Sequence, residues 1–405
     1  MSLNDSGRFS FAATHGRPSP VRRILEFVKQ PGMISFAGGM PAPEVFPVKE
    51  FAECSHLIRD KGEQLLQYGT TDGDPELRAF LAEFSAPRLG RQVTPDQVML
   101  TTGSQQALDL IGWALIDPGD VIITENPSYM AALTVFQLHR ASFRGIPCDA
   151  DGMLVDRIPE VVESLRAQGK KVKMLYTVAN FQNPGGMTLS ADRRRRLAEY
   201  AAKYDFLVYE DDAYGYVRFE GEPVPAVFSF DPTGHTVYSC SFSKILAPGT
   251  RTGWIIADPA VITKMCAMKQ NVDICSSSVD QALIAEYCEK GFLTAHLPVI
   301  ISNYRRRRDF MEESMKKHLS PLDVTWVKPQ GGFFYWIKVP GVDTDELVMK
   351  ALEKRVAFVQ GSAFAVEEGT CRDCARINYT YCSAETIEEG ISRLADAIEE
   401  IKNKK

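Results

Sequence analysis

The chain has 405 residues, 45% of them hydrophobic and 24% charged, which is length enough for about two or three domains around a large core. Lysine and arginine number 46 against 52 aspartates and glutamates, a net charge of −6. That balance argues against a protein built to bind nucleic-acid phosphates or anionic membranes, though it excludes neither a small basic pocket nor a small anionic ligand.

The N-terminal stretch, residues 1–20, is polar and lacks the apolar core of a secretion signal, and no apolar run is long enough to span a bilayer. A cytoplasmic location is expected. Val21, Ile24, Leu25 and Val28 recur at helical spacing, and Pro31-Gly32 stops that helix. Asp74 as N-cap, Pro75 at the first helical position and Glu76 in the first turn start a helix over 73–87. An alternation follows. Strands are predicted at Val98–Thr101, Val121–Glu125, Lys173–Val178, Phe206–Glu210, Val237–Phe242 and Gly253–Ala257. Helices are predicted between them at Ser104–Ile116, Tyr129–His139 and Ala191–Tyr204. Short apolar strands alternating with helices indicate an α/β domain with a mostly parallel sheet covered on both faces.

From about residue 292 the pattern changes. A long charged helix, Leu293–His318, leads to strands at Val324–Val327 and Phe333–Val339. A helix at Asp345–Arg355, strands near Phe358 and at Arg376–Tyr381, and a last helix from Ala384 complete a smaller α+β domain. The nine cysteines are scattered. Cys371 and Cys374 have CxxC spacing, but no second pair or histidine cluster completes a zinc site, so reduced, partly buried thiols and no metal are expected.

Ligands of open α/β sheets bind at the carboxyl ends of the strands, and four loops there carry unusual chemistry. In Thr101-Thr102-Gly103-Ser104-Gln105-Gln106, a glycine and a hydroxyl at a helix start offer free N–H groups and a positive dipole end to a phosphate; from this loop alone a serine N-cap without a ligand is the better reading, since Gly-Ser before a helix is common. Asn183, in the tight loop Asn180-Phe181-Gln182-Asn183-Pro184-Gly185-Gly186, is held extended before proline, either to donate to a ligand oxygen or as a polar turn residue. Asp211 and Asp212 end an apolar strand, with Tyr214 following; a carboxylate there suits a protonated ring nitrogen, or is a solvated acidic turn. Lys244, in Ser241-Phe242-Ser243-Lys244, precedes Arg251 by seven residues. A partly desolvated lysine can attack a carbonyl and an arginine can bind phosphate bidentately, although a lone lysine usually snorkels at the surface.

Together these loops supply a Schiff-base lysine, an acid for a pyridine nitrogen and an anchored phosphate, the parts of a pyridoxal phosphate site. With Ile34-Ser35-Phe36-Ala37-Gly38-Gly39-Met40-Pro41 and Arg376-Ile377-Asn378-Tyr379, the chain resembles the fold-type I, class I aminotransferases that depend on pyridoxal 5′-phosphate (PLP). It is most similar to the subgroup of 2-aminoadipate and kynurenine aminotransferases, over nearly the whole chain.

The resemblance implies a large PLP-binding domain at 46–291 with a mostly parallel, seven-stranded-type sheet between helices. A small C-terminal α+β domain would occupy 292–405, and residues 1–45 would form an arm and helix over the substrate. By the same resemblance, Lys244 forms the Schiff base with the cofactor and then shuttles the proton at the substrate α-carbon. Asp211, rather than Asp212, pairs with the pyridinium nitrogen, because the family spaces this acid three residues before the tyrosine. Tyr214 and Asn183 bond the ring's phenolic oxygen, and Tyr129 stacks on the ring. Gly103, Ser104, Gln105, Ser241, Ser243 and Arg251 form the phosphate site. Tyr68 would reach the phosphate of a neighbouring subunit, which implies a homodimer with composite sites. Arg376 would clamp the substrate α-carboxylate, with Asn183 and the Gly39 backbone beside the substrate. Arg22 would read an acidic side chain such as that of glutamate or 2-aminoadipate, or be a surface arginine.

The implied reaction moves an amino group from an amino acid (acidic, aromatic or branched) to a 2-oxo acid such as 2-oxoglutarate, in two half-reactions. A β-lyase would use the same cofactor residues. A non-catalytic effector-binding domain of the kind found in transcription regulators is disfavoured, since only about thirty residues precede Ile34, too few for a winged-helix domain.

Overall fold

The computed structural model describes residues 7–16, 24, 27 and 30–404. Most of the helix expected over 20–30, Arg22 included, therefore lies outside the described residues. The first described strands are β1 (Ile34–Ser35), β2 (Val98–Thr101), β3 (Val121–Asn126), β4 (Ser142–Asp149), β5 (Gly152–Met153), β6 (Val172–Thr177) and β7 (Leu207–Asp211). They continue with β8 (Thr236–Ser241), β9 (Gly253–Ile256), β10 (Thr325–Trp326), β11 (Phe334–Lys338), β12 (Val356–Ala357), β13 (Val359–Gln360) and β14 (Cys374–Asn378).

Eight of them form one sheet in the order β2-β9-β8-β7-β6-β3-β4-β5. β9 runs against both its neighbours and β5 against β4, while the remaining pairs are parallel. The eighth strand beyond the expected seven is the two-residue β5. The strand alternation splits the core in two. Ile123, Leu175 and Val208 pack with Val162 and Leu197 of the helices Ile158–Ala167 and Ala191–Tyr204. Ile122, Met174, Tyr176 and Val237 face the other way, with Leu108 and Ile111 of the helix Gly103–Leu115. Apolar residues fill both faces because both are covered.

The helix Pro75–Leu89 begins as the sequence predicts, with the Asp74 carboxylate accepting from Leu77 N at 2.9 Å. The sequence gives no sign of β4. Its eight residues include Arg144, Gly145 and Pro147 and are mostly half-buried or exposed, which only a strand near the sheet's edge tolerates. Helices Ile158–Ala167, Pro259–Val272 and Ser278–Glu289 also go beyond the elements predicted. The expected strand Arg376–Tyr381 is shifted to β14, Cys374–Asn378.

The smaller C-terminal domain holds the antiparallel sheet β10-β11-β14-β13. β1 pairs in parallel with β12, Ile34 against Val356, so the segment Ile34–Pro41 is stitched to the C-terminal domain and carries Gly39 towards the large sheet. No described helix is long and apolar enough to cross a membrane.

Candidate functional site

β2, β3, β6, β7 and β8 point the same way, so the loops after Thr101, Asn126, Thr177, Asp211 and Ser241 gather along one edge of the sheet. A cavity of about 340 Å³ opens there. Ser104, Gln105, Tyr129, Asn183, Asp211 and Tyr214 line it, as do Ser241, Ser243, Lys244 and Arg251. Gly39 and Arg376 close it from the C-terminal side. Residues far apart in sequence meet because the parallel connections return each strand to the same edge.

At one end lies the start of the helix Gly103–Leu115. Gly103 has φ +72°, and a Cβ there would stand 2.5 Å from Arg251 Nη2. Only glycine lets the guanidinium lie against this turn. Arg251 itself is left-handed, with φ +46°. Ser243 N donates to Ser241 Oγ at 3.1 Å, and the two hydroxyls are 2.9 Å apart. Backbone N–H groups, two hydroxyls and a guanidinium thus converge at a positive dipole end, a site for a phosphate dianion.

Deeper in, Asp211 is 4% exposed. Its Oδ2 accepts from Tyr176 Oη at 2.9 Å, while its Oδ1 has no partner. Burial pushes this carboxyl up to about 6, against the Tyr176 hydrogen bond, with the neighbouring Asp212 adding to the rise. A buried carboxylate with one unsatisfied oxygen is costly unless a donor meets it. Asp212 faces away from the cavity and is fully engaged, by Asn180 Nδ2 at 2.6 Å, Tyr238 Oη at 2.8 Å and Arg88 Nη1 at 3.4 Å. Burial raises the Tyr129 and Tyr214 hydroxyls, and the Asn183 side chain bonds Tyr214.

Lys244 Nζ donates to the Gly39 carbonyl at 2.7 Å. It is half-buried on the cavity wall. Poor hydration, then the charges of Arg376 and Arg251, bring its amine down to about 8, with Asp211 pulling the other way. A neutral amine is therefore accessible near neutral pH.

Arg376 on β14 is 4% exposed. Its Nη1 donates to Asn183 Oδ1 at 2.8 Å and its Nη2 to Ala37 O at 2.7 Å. The guanidinium lies 4.1 Å from the Phe334 ring centre and 4.9 Å from that of Phe364. Burial lowers it to about 10, still charged at neutral pH. The two aromatic faces fix its plane, and Nη hydrogens remain for a carboxylate.

Tyr68 stands apart, 76% exposed on a groove beside Cys275–Val279. Arg22 lies outside the described residues. Tyr176, Phe334 and Phe364 escaped the sequence reading. A polar-tipped tyrosine in the apolar run of β6 was the one available signal for Tyr176; the two phenylalanines read only as core.

These residues fit PLP on structural grounds. The unpartnered Asp211 Oδ1 suits a protonated ring nitrogen, the Gly103 turn leaves room beside Arg251 for phosphate, and Lys244 presents an amine between them. Among the described residues no cluster of metal-ligating side chains is present.

The family model for aminotransferase class I and II matches residues 34–394. The aromatic-amino-acid aminotransferase 1 of Thermococcus litoralis is 44% identical over 394 residues, 97% of this chain and 94% of the relative. The 2-aminoadipate transaminase of Thermus thermophilus is 35% identical, covering 98% of each. The solved kynurenine aminotransferase of Pyrococcus horikoshii, in complex with PMP, is 42% identical with a TM-score of 0.93, over 98% of this chain and 99% of that one.

Proposed function

This chain belongs to the aminotransferases of class I and II, and on that premise we propose which of its residues do the work and on what substrates. It is a PLP-dependent transaminase acting on an amino acid and a 2-oxo acid. One observation carries our assignment: Lys244 Nζ, the unpartnered Asp211 Oδ1 and the Arg376 guanidinium converge in a single cavity. When bound, PLP supplies an aldehyde that takes up the amino group and a protonated ring that draws electrons from the substrate α-carbon.

Arg376 holds the α-carboxylate by charge-assisted hydrogen bonds, with Asn183 bridging it to Tyr214. The Lys244 amine removes and returns the proton at the α-carbon; with its pKa brought down to about 8, it gives up and regains a proton more readily than an ordinary lysine. Asp211 keeps the ring nitrogen protonated. Tyr214 and Asn183 orient the ring oxygen, and Tyr129 covers the ring and excludes water. Gly103, Ser104, Gln105, Ser241, Ser243 and Arg251 take the phosphate.

Tyr129 and Phe334 give the cavity an aromatic wall beside Arg376. We therefore place aromatic donors within a broad range that includes glutamate, 2-aminoadipate and branched chains, with 2-oxoglutarate as acceptor. Arg22 is our candidate for reading acidic side chains. The names of the aromatic-amino-acid, 2-aminoadipate and kynurenine relatives support that breadth. The exposed Tyr68 and Leu66, each 76% exposed, support a homodimer in which Tyr68 serves the partner's phosphate. Nine unpaired cysteines go with a cytoplasmic location. We divide the chain into an arm (1–45), a larger domain (46–291) and a smaller one (292–405).

The test is the visible spectrum of the purified protein. Glutamate or an aromatic amino acid bleaches the cofactor band, and 2-oxoglutarate restores it. Release of ammonia and a 2-oxo acid without any acceptor would instead favour elimination.

A further inference from the structure

Behind the phosphate end of the cavity lies a polar cluster, half-buried at its edge and built round one fully buried ammonium. Lys269, on the helix Pro259–Val272, has no exposed surface. Its ammonium donates to Asp273 Oδ1 at 2.7 Å and Oδ2 at 2.9 Å, to Ser276 Oγ at 3.0 Å and to Gln106 Oε1 at 3.2 Å. Gln106 donates through Nε2 to Asp273 Oδ2 at 2.5 Å, and its Oε1 accepts from Thr102 N at 2.8 Å. Thr102 Oγ1 sits 2.9 Å from Ser276 Oγ. Thr102 is the residue before Gly103, where the helix Gly103–Leu115 begins.

A buried ammonium is costly unless every hydrogen is met, and here the acceptors suffice. Asp273 balances its charge, so the pair adds little net field to the cavity. What it adds is rigidity. The Thr102 amide is pinned by Gln106, and Gln106 is pinned by both ends of the ion pair. The next residue has almost no freedom, since Gly103 lies with its Cβ position 2.5 Å from Arg251 Nη2.

We infer that Lys269 is a positioning residue for the phosphate end of the cofactor site: through Gln106 and Thr102 it holds the Gly103–Gln105 amides in the one arrangement that receives the phosphate. The inference rests on the reading that this turn takes the phosphate, and the test separates the two.

The full-length protein, freed of cofactor, is titrated with PLP and, separately, with pyridoxal, which lacks the phosphate. Lys269→Met should weaken PLP about tenfold, the order for losing one hydrogen bond to a charged group, and leave pyridoxal within about twofold. Gln106→Leu strands no charge and should show the same phosphate-selective loss; it carries the test if Lys269→Met fails to fold. Equal loss for both probes, or none for either, overturns the inference. Arg251→Met is the control. If it is phosphate-selective and the Lys269 and Gln106 variants are not, the inference alone fails; if it is not selective, the phosphate assignment fails and the inference with it.

Discussion

Removing the Tyr176 hydroxyl tests how the buried acid is kept ionisable. Tyr176 Oη donates to Asp211 Oδ2 at 2.9 Å, with Tyr176 fully buried and Asp211 4% exposed, so solvent does not dilute the bond. A hydrogen bond to a charged group contributes about 1.5–3 kcal/mol, which at about 1.4 kcal/mol per pKa unit is about one to two units. Tyr176→Phe should therefore move the Asp211 midpoint from about 6 to about 7–8. Asp211 titrates higher in the folded protein than in the unfolded chain, so its contribution to stability is full at low pH. That contribution falls as pH rises through the folded pKa. In the variant the fall continues one to two units further.

Urea unfolding of the cofactor-free protein at pH 5 and pH 9, at one protein concentration, reads this directly. The variant's extra destabilisation should be about 2 kcal/mol larger at pH 9 than at pH 5. The raised carboxyls of Glu125 and Glu210 are common to both proteins and cancel. An equal loss at the two pH values refutes the role given to Tyr176.

Lys244→Ala should abolish turnover yet keep weak cofactor binding through the phosphate end, measured by steady-state rate and cofactor titration; normal turnover would sink the assignment. Asp211→Asn should cost on the order of a hundredfold in kcat, as the ring nitrogen loses its counter-charge, and an unchanged rate would move the role elsewhere. For Arg376→Ala, kcat/KM should drop by about a hundredfold for every donor, the size of a lost charge-assisted pair; a loss confined to one donor class would make it a side-chain reader instead. Arg22→Ala should slow glutamate more than an aromatic donor in initial-rate assays, and equal slowing would remove Arg22 from specificity.

Much of the frame is written locally. Asp74-Pro75-Glu76 carries its own helix start, and the apolar runs Val98–Thr101 and Val121–Asn126 are strands because nothing but a covered sheet can bury them. Four strand-end loops offer candidate cofactor chemistry in their own residues, Lys244, Asn183, Arg251 and an acid at 211 or 212 among them, and only the family resemblance prefers Asp211. β4 was not legible in the sequence, because its polar residues and Pro147 are tolerated by its place near the sheet edge rather than favoured by its sequence.

What the tertiary structure alone decides is partnership between distant residues. Asp211 and Asp212 are adjacent and chemically identical in sequence; only the direction each side chain takes leaves one oxygen open to the cavity and locks the other acid to Asn180, Tyr238 and Arg88. Asn183 and Arg376, 193 positions apart, are joined by a hydrogen bond that no spacing rule contains. The desolvation that brings Lys244 to about 8 and the ion pair holding Thr102 from behind exist only once helices and sheet have packed. Sequence determines which chemistry is available. Burial and long-range contact determine which groups are poised to use it.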